Sequence, residues 1–273
     1  MTSDFSSPIE FGRTGLRVGP LGISSGYNLG GRGAEMAFER GQNFMHFSSR
    51  QDPEFIAAVS RFAATDRDSV VIAIHSYART GFLLRRTVLK ALRNLGVDHV
   101  DFLFMGYYQR APSKWLLNSA MKMKDQGLVR HLGISTHKRQ LFQSFTEMGI
   151  FDAYMVRYNA AHPGAEREVF DKLPPASASP AILAFTTTRW GQFLDPARMP
   201  EGEAVPSSSD CYRFALSHPR VDMALTGASN SSQMQQALAA LEAGPMSAEE
   251  LVRMRRIGDH LHEHHKSRIL EQF

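Results

Sequence analysis

Histidine is the side chain whose ordinary pKa lies nearest neutrality, so its placement bears first on acid/base chemistry. Two histidines sit at the ends of apolar, β-rich runs: His46 in NFMHF (43–47) and His75 in VVIAIH (70–75). Polar and aromatic residues sit at or just past further run ends: Ser76 and Tyr77, Tyr107 and Tyr108, Thr136 and His137, and Arg157, Asn159 and His162. Brought together, these ends make a polar pocket in which histidine acts as acid or base, tyrosine as acid and Arg157 as an anion clamp. The alternative is a set of rings that hydrogen-bond one another beneath closed loops. A metal fits less well. Imidazole suits zinc, iron or copper, but no HxH or HxxxH pair sits at these ends and no carboxylate completes a ligand set. His260 and His264 are spaced i, i+4, as a solvated helix end also produces. GYNLGGRG (26–33) lacks the Lys-Ser/Thr of a phosphate loop, so it reads as a flexible connection. GASNSS (227–232) reads as a helix start whose free N–H groups suit a phosphate.

The elements that must position these residues are legible as eight runs: 21–25, 43–47, 70–75, 101–105, 130–135, 154–158, 181–185 and 223–227. Several are apolar without alternation, as strands buried on both faces are. Helix-period segments such as EFIAAVSRFAA and LLRRTVLKALRNLG separate them. This order predicts an α/β fold, a single (β/α)8 TIM barrel spanning 1–273 as one domain. IEFGRTGLRVG reads as an N-terminal hairpin around Gly12 and Gly15 that plugs the barrel floor. The stretch 195–209, rich in Pro, Ser and Gly, reads as the loop after the seventh run. SAEE (247–250) is a capping-box pattern that opens a C-terminal helix. The 31 basic residues, giving a net charge of +4, are scattered. That distribution, without a recognition motif, argues against a nucleic-acid partner. No apolar run reaches the roughly 18 residues of a membrane span. Cys211 is the sole cysteine, so no internal disulfide forms, and a cytoplasmic location fits the absence of signal-peptide features.

Several segments together resemble a known family. FGRTGLRVGPLG resembles the opening of the aldo-keto reductases. ERGQNFMHFS is similar to their G-x-N-x-x-D-T-A segment, LRNLGVDHVDFLF to the approach to their fourth strand, and QGLVRHLGIST to their G-x-V-R-x-x-G-x-S segment. RYNAAHPGAE, AFTTTRWGQFL and VDMALTGASNSSQM follow in the family's order, so the likeness spans almost the whole chain. RYNAAH and DCYRF…SHP resemble the segments of a divergent bacterial subgroup. The resemblance implies carbonyl reduction by NADPH through a Tyr proton donor, a Lys paired to an Asp, and a His that orients the carbonyl. Carried over singly, the Asp falls on His46, the Tyr on or near Gln51, the Lys on His75 and the His on Gly106. None of the four is retained. Removing the Lys alone would strand a buried carboxylate at about 3–5 kcal/mol. Here both partners are histidine, which can be buried neutral. The Gln that fixes the nicotinamide amide falls on Met155, and the stacking aromatic on Phe185. Positions that hold the 2′-phosphate fall on Gly227 and Gln233, which carry no charge. A nicotinamide nucleotide would lie against Ser135, Asn159, Phe185, Trp190, Gly191, Gly227, Ser229, Asn230 and Gln233, with Arg189 a possible pyrophosphate contact.

The expectation is a small-molecule enzyme with altered acid/base chemistry at the C-terminal barrel mouth. His46, His75, Tyr77, Tyr107, His137 and Arg157 are its candidate residues, no metal is called for, and the cofactor is open, NAD(P)H being compatible. His46 and His75 are expected side by side, one neutral and one protonated. The alternatives are an NAD(P)H-dependent oxidoreductase with another proton donor, such as Tyr77 or His75, and a non-catalytic binding or regulatory protein. The short YYQRAPS segment leaves the mouth open or covered by a partner subunit.

Overall fold

The structure, a computed structural model, describes residues 5–48 and 52–264. Position 51, onto which the proton-donor tyrosine falls, lies outside the described residues. Two short antiparallel strands come first, β1 (Ile9–Glu10) and β2 (Arg17–Val18). The barrel strands follow: β3 (Leu21–Ser24), β4 (Phe44–Phe47), β5 (Val71–Ser76), β6 (Val100–Met105), β7 (Val129–Ser135), β8 (Ala153–Arg157), β9 (Ala181–Phe185) and β10 (Met223–Leu225). All pair in parallel, and β10 closes against β3. Each run read from the sequence is a strand, displaced by a residue or two at its ends. β10 stops at Leu225, which leaves Gly227 in the loop beyond it.

The outer layer contains α1 (Gly30–Glu39), α2 (Pro53–Thr65), α3 (Gly81–Leu95), α4 (Lys114–Asp125), α5 (Leu141–Met148), the single-turn α6 (Ala165–Glu168), α7 (Ser208–Leu216), α8 (Ser231–Ala243) and the C-terminal α9 (Ala248–His264). Caps fix where these helices begin. Ser247 Oγ accepts from Glu250 N at 3.2 Å, and the Glu250 carboxylate accepts from Ser247 N at 2.7 Å, which is the capping box read from SAEE. Ser207 and Asp210 form a second such box at α7.

The hairpin closes the barrel floor, as its position before β3 predicts. Phe11, wholly buried, sits 5.3 Å from the Phe44 ring and 5.5 Å from the Phe102 ring. Gly12 has φ +51°, and a Cβ there would stand 2.4 Å from Ala181 N, so only glycine lets the hairpin approach this closely. Above this floor the inward residues follow the two-residue period of each strand: Phe44 then His46, Ala73 then His75, Phe102 then Phe104, Gly133 then Ser135. The strand ends thus bring a polar layer to rest on an apolar one.

Candidate functional site

Ser24, His46, His75 and Ser135 form that polar layer, and all four are buried. Ser24 Oγ lies 3.3 Å from His46 Nδ1, His46 Nε2 lies 3.4 Å from His75 Nδ1, and His75 Nε2 lies 3.5 Å from Ser135 Oγ. Backbone amides anchor both ends: Gly26 N–H donates to Ser24 Oγ, and Tyr107 N–H donates to Ser135 Oγ, each at 3.2 Å. The chain reaches from β3 to β7 and passes over β6 only because residue 106 is glycine. A Cβ at Gly106 would stand 2.0 Å from His75 Nε2. Below, the Phe104 ring lies 6.3 Å from each imidazole. Gly133 makes room for that ring, since a Cβ there would meet it at 2.4 Å.

Burial decides the charge state. Desolvation pulls His75 down to about 4. Desolvation together with the field of His75 pulls His46 down to about 3. Both imidazoles are therefore neutral near pH 7, and the expected pairing of one neutral with one protonated ring is corrected. The geometric half of that expectation holds, since the two rings meet edge to face at 5.6 Å.

Tyr77 stacks on His75 at 4.8 Å and is 50% exposed, so it stands between the pair and solvent. Burial raises its hydroxyl pKa. Tyr107 and His137 face the same mouth, their rings 5.0 Å apart. Desolvation, with Arg157 and Arg139 nearby, holds His137 at about 4. These groups surround a cavity of about 440 Å³. A second cavity of about 420 Å³ adjoins it and shares Ser24, Tyr27, Met155, Phe185 and Leu225 with it. Trp190, Gly191, Gly227 and Gln233 border this second space. Among the described residues, five non-glycine residues have left-handed φ: Asn28 at 59°, Tyr107 at 64°, Thr186 at 60°, Arg189 at 49° and Trp190 at 54°. All five lie in loops after the C-terminal ends of β3, β6 and β9. Such conformations cost of order 1–3 kcal/mol each and cluster where geometry serves a ligand.

No protein-family model and no curated protein matches the chain. Matches do occur among solved structures. Aldo-keto reductase AKR11C1 from Bacillus halodurans, in its holo form, superposes with a TM-score of 0.76 at 16% identity, covering 92% of this chain and 96% of that one. An aldo/keto reductase from Klebsiella pneumoniae in complex with NADP and acetate gives 0.75 at 17% identity, covering 91% and 94%. The chain has the aldo-keto reductase fold. Identities this low speak for the fold alone.

Within this barrel, the positions implied for a nucleotide separate into three groups. Phe185, Trp190, Gly191, Gly227 and Gln233 border the second cavity. Ser135 is taken up by the histidine chain. Asn159, Ser229 and Asn230 do not line either mouth cavity. Asn159 is wholly buried, donating to Thr186 O at 2.8 Å while its Oδ1 accepts from Ala161 N at 3.0 Å. Asn230 caps α8 by accepting from Gln233 N at 2.9 Å, and Ser229 N donates to Gln233 Oε1 at 2.9 Å. Two N–H groups at this helix start are thus already satisfied. Arg189 is wholly buried and does not line the cavity, so its expected pyrophosphate contact is corrected. The sequence reading overlooked Ser24. Counting inward positions of β3 from Gly22 would have found it.

Proposed function

We propose that this chain is a small-molecule enzyme whose acid/base group is the His46–His75 pair at the barrel mouth. The observation that carries the reading is the hydrogen-bonded chain Ser24–His46–His75–Ser135 bordering a ligand-sized cavity. With both rings neutral, the chain has two arrangements that satisfy every member. In one, Ser24 O–H donates to His46, His46 to His75, and His75 to Ser135. In the other, every donor is reversed. A proton taken from a ligand at one serine and released from the other interconverts them without leaving a charge on either ring. That suits a pair whose pKa values are held low by burial. Tyr77, stacked on His75, offers a further O–H to the same cavity, and Tyr107 and His137 add to its polar side, whereas Arg157, expected there as an anion clamp, does not line it.

NADP, present in the Klebsiella protein, is a poor fit. No Lys or Arg is among the described residues that line the second cavity, and the α8 start spends N–H groups on its own side chains. The proposed chemistry therefore runs through the protein's own groups.

The test is deuterium incorporation from D₂O into a panel of small keto and hydroxy compounds, followed by NMR. The wild type is expected to exchange a carbon-bound proton next to a carbonyl, and His46→Ala and His75→Ala to lose that exchange while remaining folded. Exchange that persists in both variants would move the proton transfer elsewhere and sink the proposal.

A further inference from the structure

We infer that a separate cleft between α2 and α3 binds the anionic end of a small molecule, a phosphate ester or a carboxylate, through Arg86 and Lys90. The cleft measures about 460 Å³ and lies over the outer side of β4 and β5. It is a different space from the mouth cavity, but the two share Ser48, His75 and Tyr77. A ligand held there by its charged end has the His75–Tyr77 wall at its other end. The inference deepens the acid/base reading by naming a substrate class, and it rests on that reading only for the reactive end.

The charge pattern carries the argument. Arg86 and Lys90 stand one turn apart on α3 and both border the cleft. Neither makes an ion pair or side-chain hydrogen bond with a described residue, whereas Arg85 on the same helix bonds Gln126. No Asp or Glu is among the described lining residues, and α3 itself contains none over Gly81–Leu95. Two like charges at i, i+4 repel, and an anion between them turns that repulsion into attraction. Ile56, Leu83 and Leu95 supply apolar wall beside the two exposed cations. An Arg fork and a Lys ammonium together suit an oxyanion with several acceptor oxygens.

The test is calorimetric titration of the intact chain with inorganic phosphate and, separately, acetate at constant ionic strength. Saturable binding is expected. Arg86→Gln with Lys90→Gln should weaken it at least about tenfold, while Arg93→Gln, on the same helix but outside the cleft, should leave it unchanged. Tighter phosphate binding assigns a phosphate ester, and tighter acetate binding a carboxylate. Equal weakening by Arg93→Gln would put the affinity in the whole basic face of α3, as for a polyanion, and overturns the site. So does the absence of saturable binding with both probes. His75→Ala separates the two proposals: phosphate binding survives it, whereas proton exchange at the mouth does not.

Discussion

At the scale of single residues, Gly106 is the position on which the site depends most directly. Gly106→Ala drives a methyl into His75 Nε2, so the ring must leave Ser135. A loss of about 1–3 kcal/mol is expected, as for other overpacked interiors. In a double-mutant cycle, His75→Ala should remove most of that loss, and urea unfolding of the four proteins measures it. Simple additivity would show that the methyl is accommodated elsewhere. The two histidines also set a pH dependence of stability. Their folded pKa values, about 3 and about 4, lie below the ordinary 6.5. Between those limits the unfolded chain binds more protons than the folded one, so stability rises with pH there. The contribution is complete above about 6.5 and is lost as pH falls, by roughly 1.4 kcal/mol per pH unit for each histidine. Thermal melts of wild type and of His46→Gln with His75→Gln between pH 7 and 4 check it. Equal slopes would mean that the pair titrates normally.

At the scale of elements, the hairpin β1–β2 bears on the site from the far end of the barrel. Phe11 packs against Phe44 and Phe102, and Phe102 supports Phe104 at 5.5 Å, on which the imidazoles rest. Phe11→Ala is expected to cost about 3–5 kcal/mol, the usual range for emptying a buried aromatic site. A loss under about 1 kcal/mol by denaturant titration would show that the hairpin is not part of the cooperative core. The helix starts follow from short-range hydrogen bonding, so SAEE is legible in the sequence, whereas the box at Ser207 lies inside a Pro-, Ser- and Gly-rich stretch that has the composition of a loop.

At the scale of the whole molecule, the barrel leaves a divided mouth in which the buried histidine pair is neutral and the adjoining cavity has no cation among its described lining residues. Two outcomes are expected. NADPH-dependent reduction of reactive aldehydes should be weak, since a positioned general acid ordinarily contributes about 10²–10⁴-fold. An NADPH-oxidation assay over an aldehyde panel checks this, and robust turnover abolished by Tyr77→Phe would identify Tyr77 as the donor. If a nicotinamide nucleotide binds at all, NADP(H) should have little advantage over NAD(H). A calorimetric preference above about tenfold, roughly 1.4 kcal/mol, would mean that another cation reaches the 2′-phosphate.

The sequence by itself determined the barrel, its floor and the adjacency of His46 and His75. Strands buried on both faces must be apolar runs, consecutive parallel strands lie side by side, and residues ending neighbouring strands therefore meet. What only the tertiary structure decided depends on reach and burial across non-adjacent elements. His75 touches Ser135 two strands away because Gly106 leaves a gap, and no periodicity encodes a gap. Both imidazoles are held well below their ordinary pKa because packing on Phe104 and, for His75, under Tyr77 buries them, whereas spacing alone suggested that one keeps its charge. Asn159 turned inward and Arg189 was wholly buried although both belong to loops, where sequence reasoning expects exposure. Arg86 and Lys90 belong to an ordinary helix pattern in the sequence, and only the packing of α3 beside the Phe47–Ser48 segment and α2 shows the cleft they border.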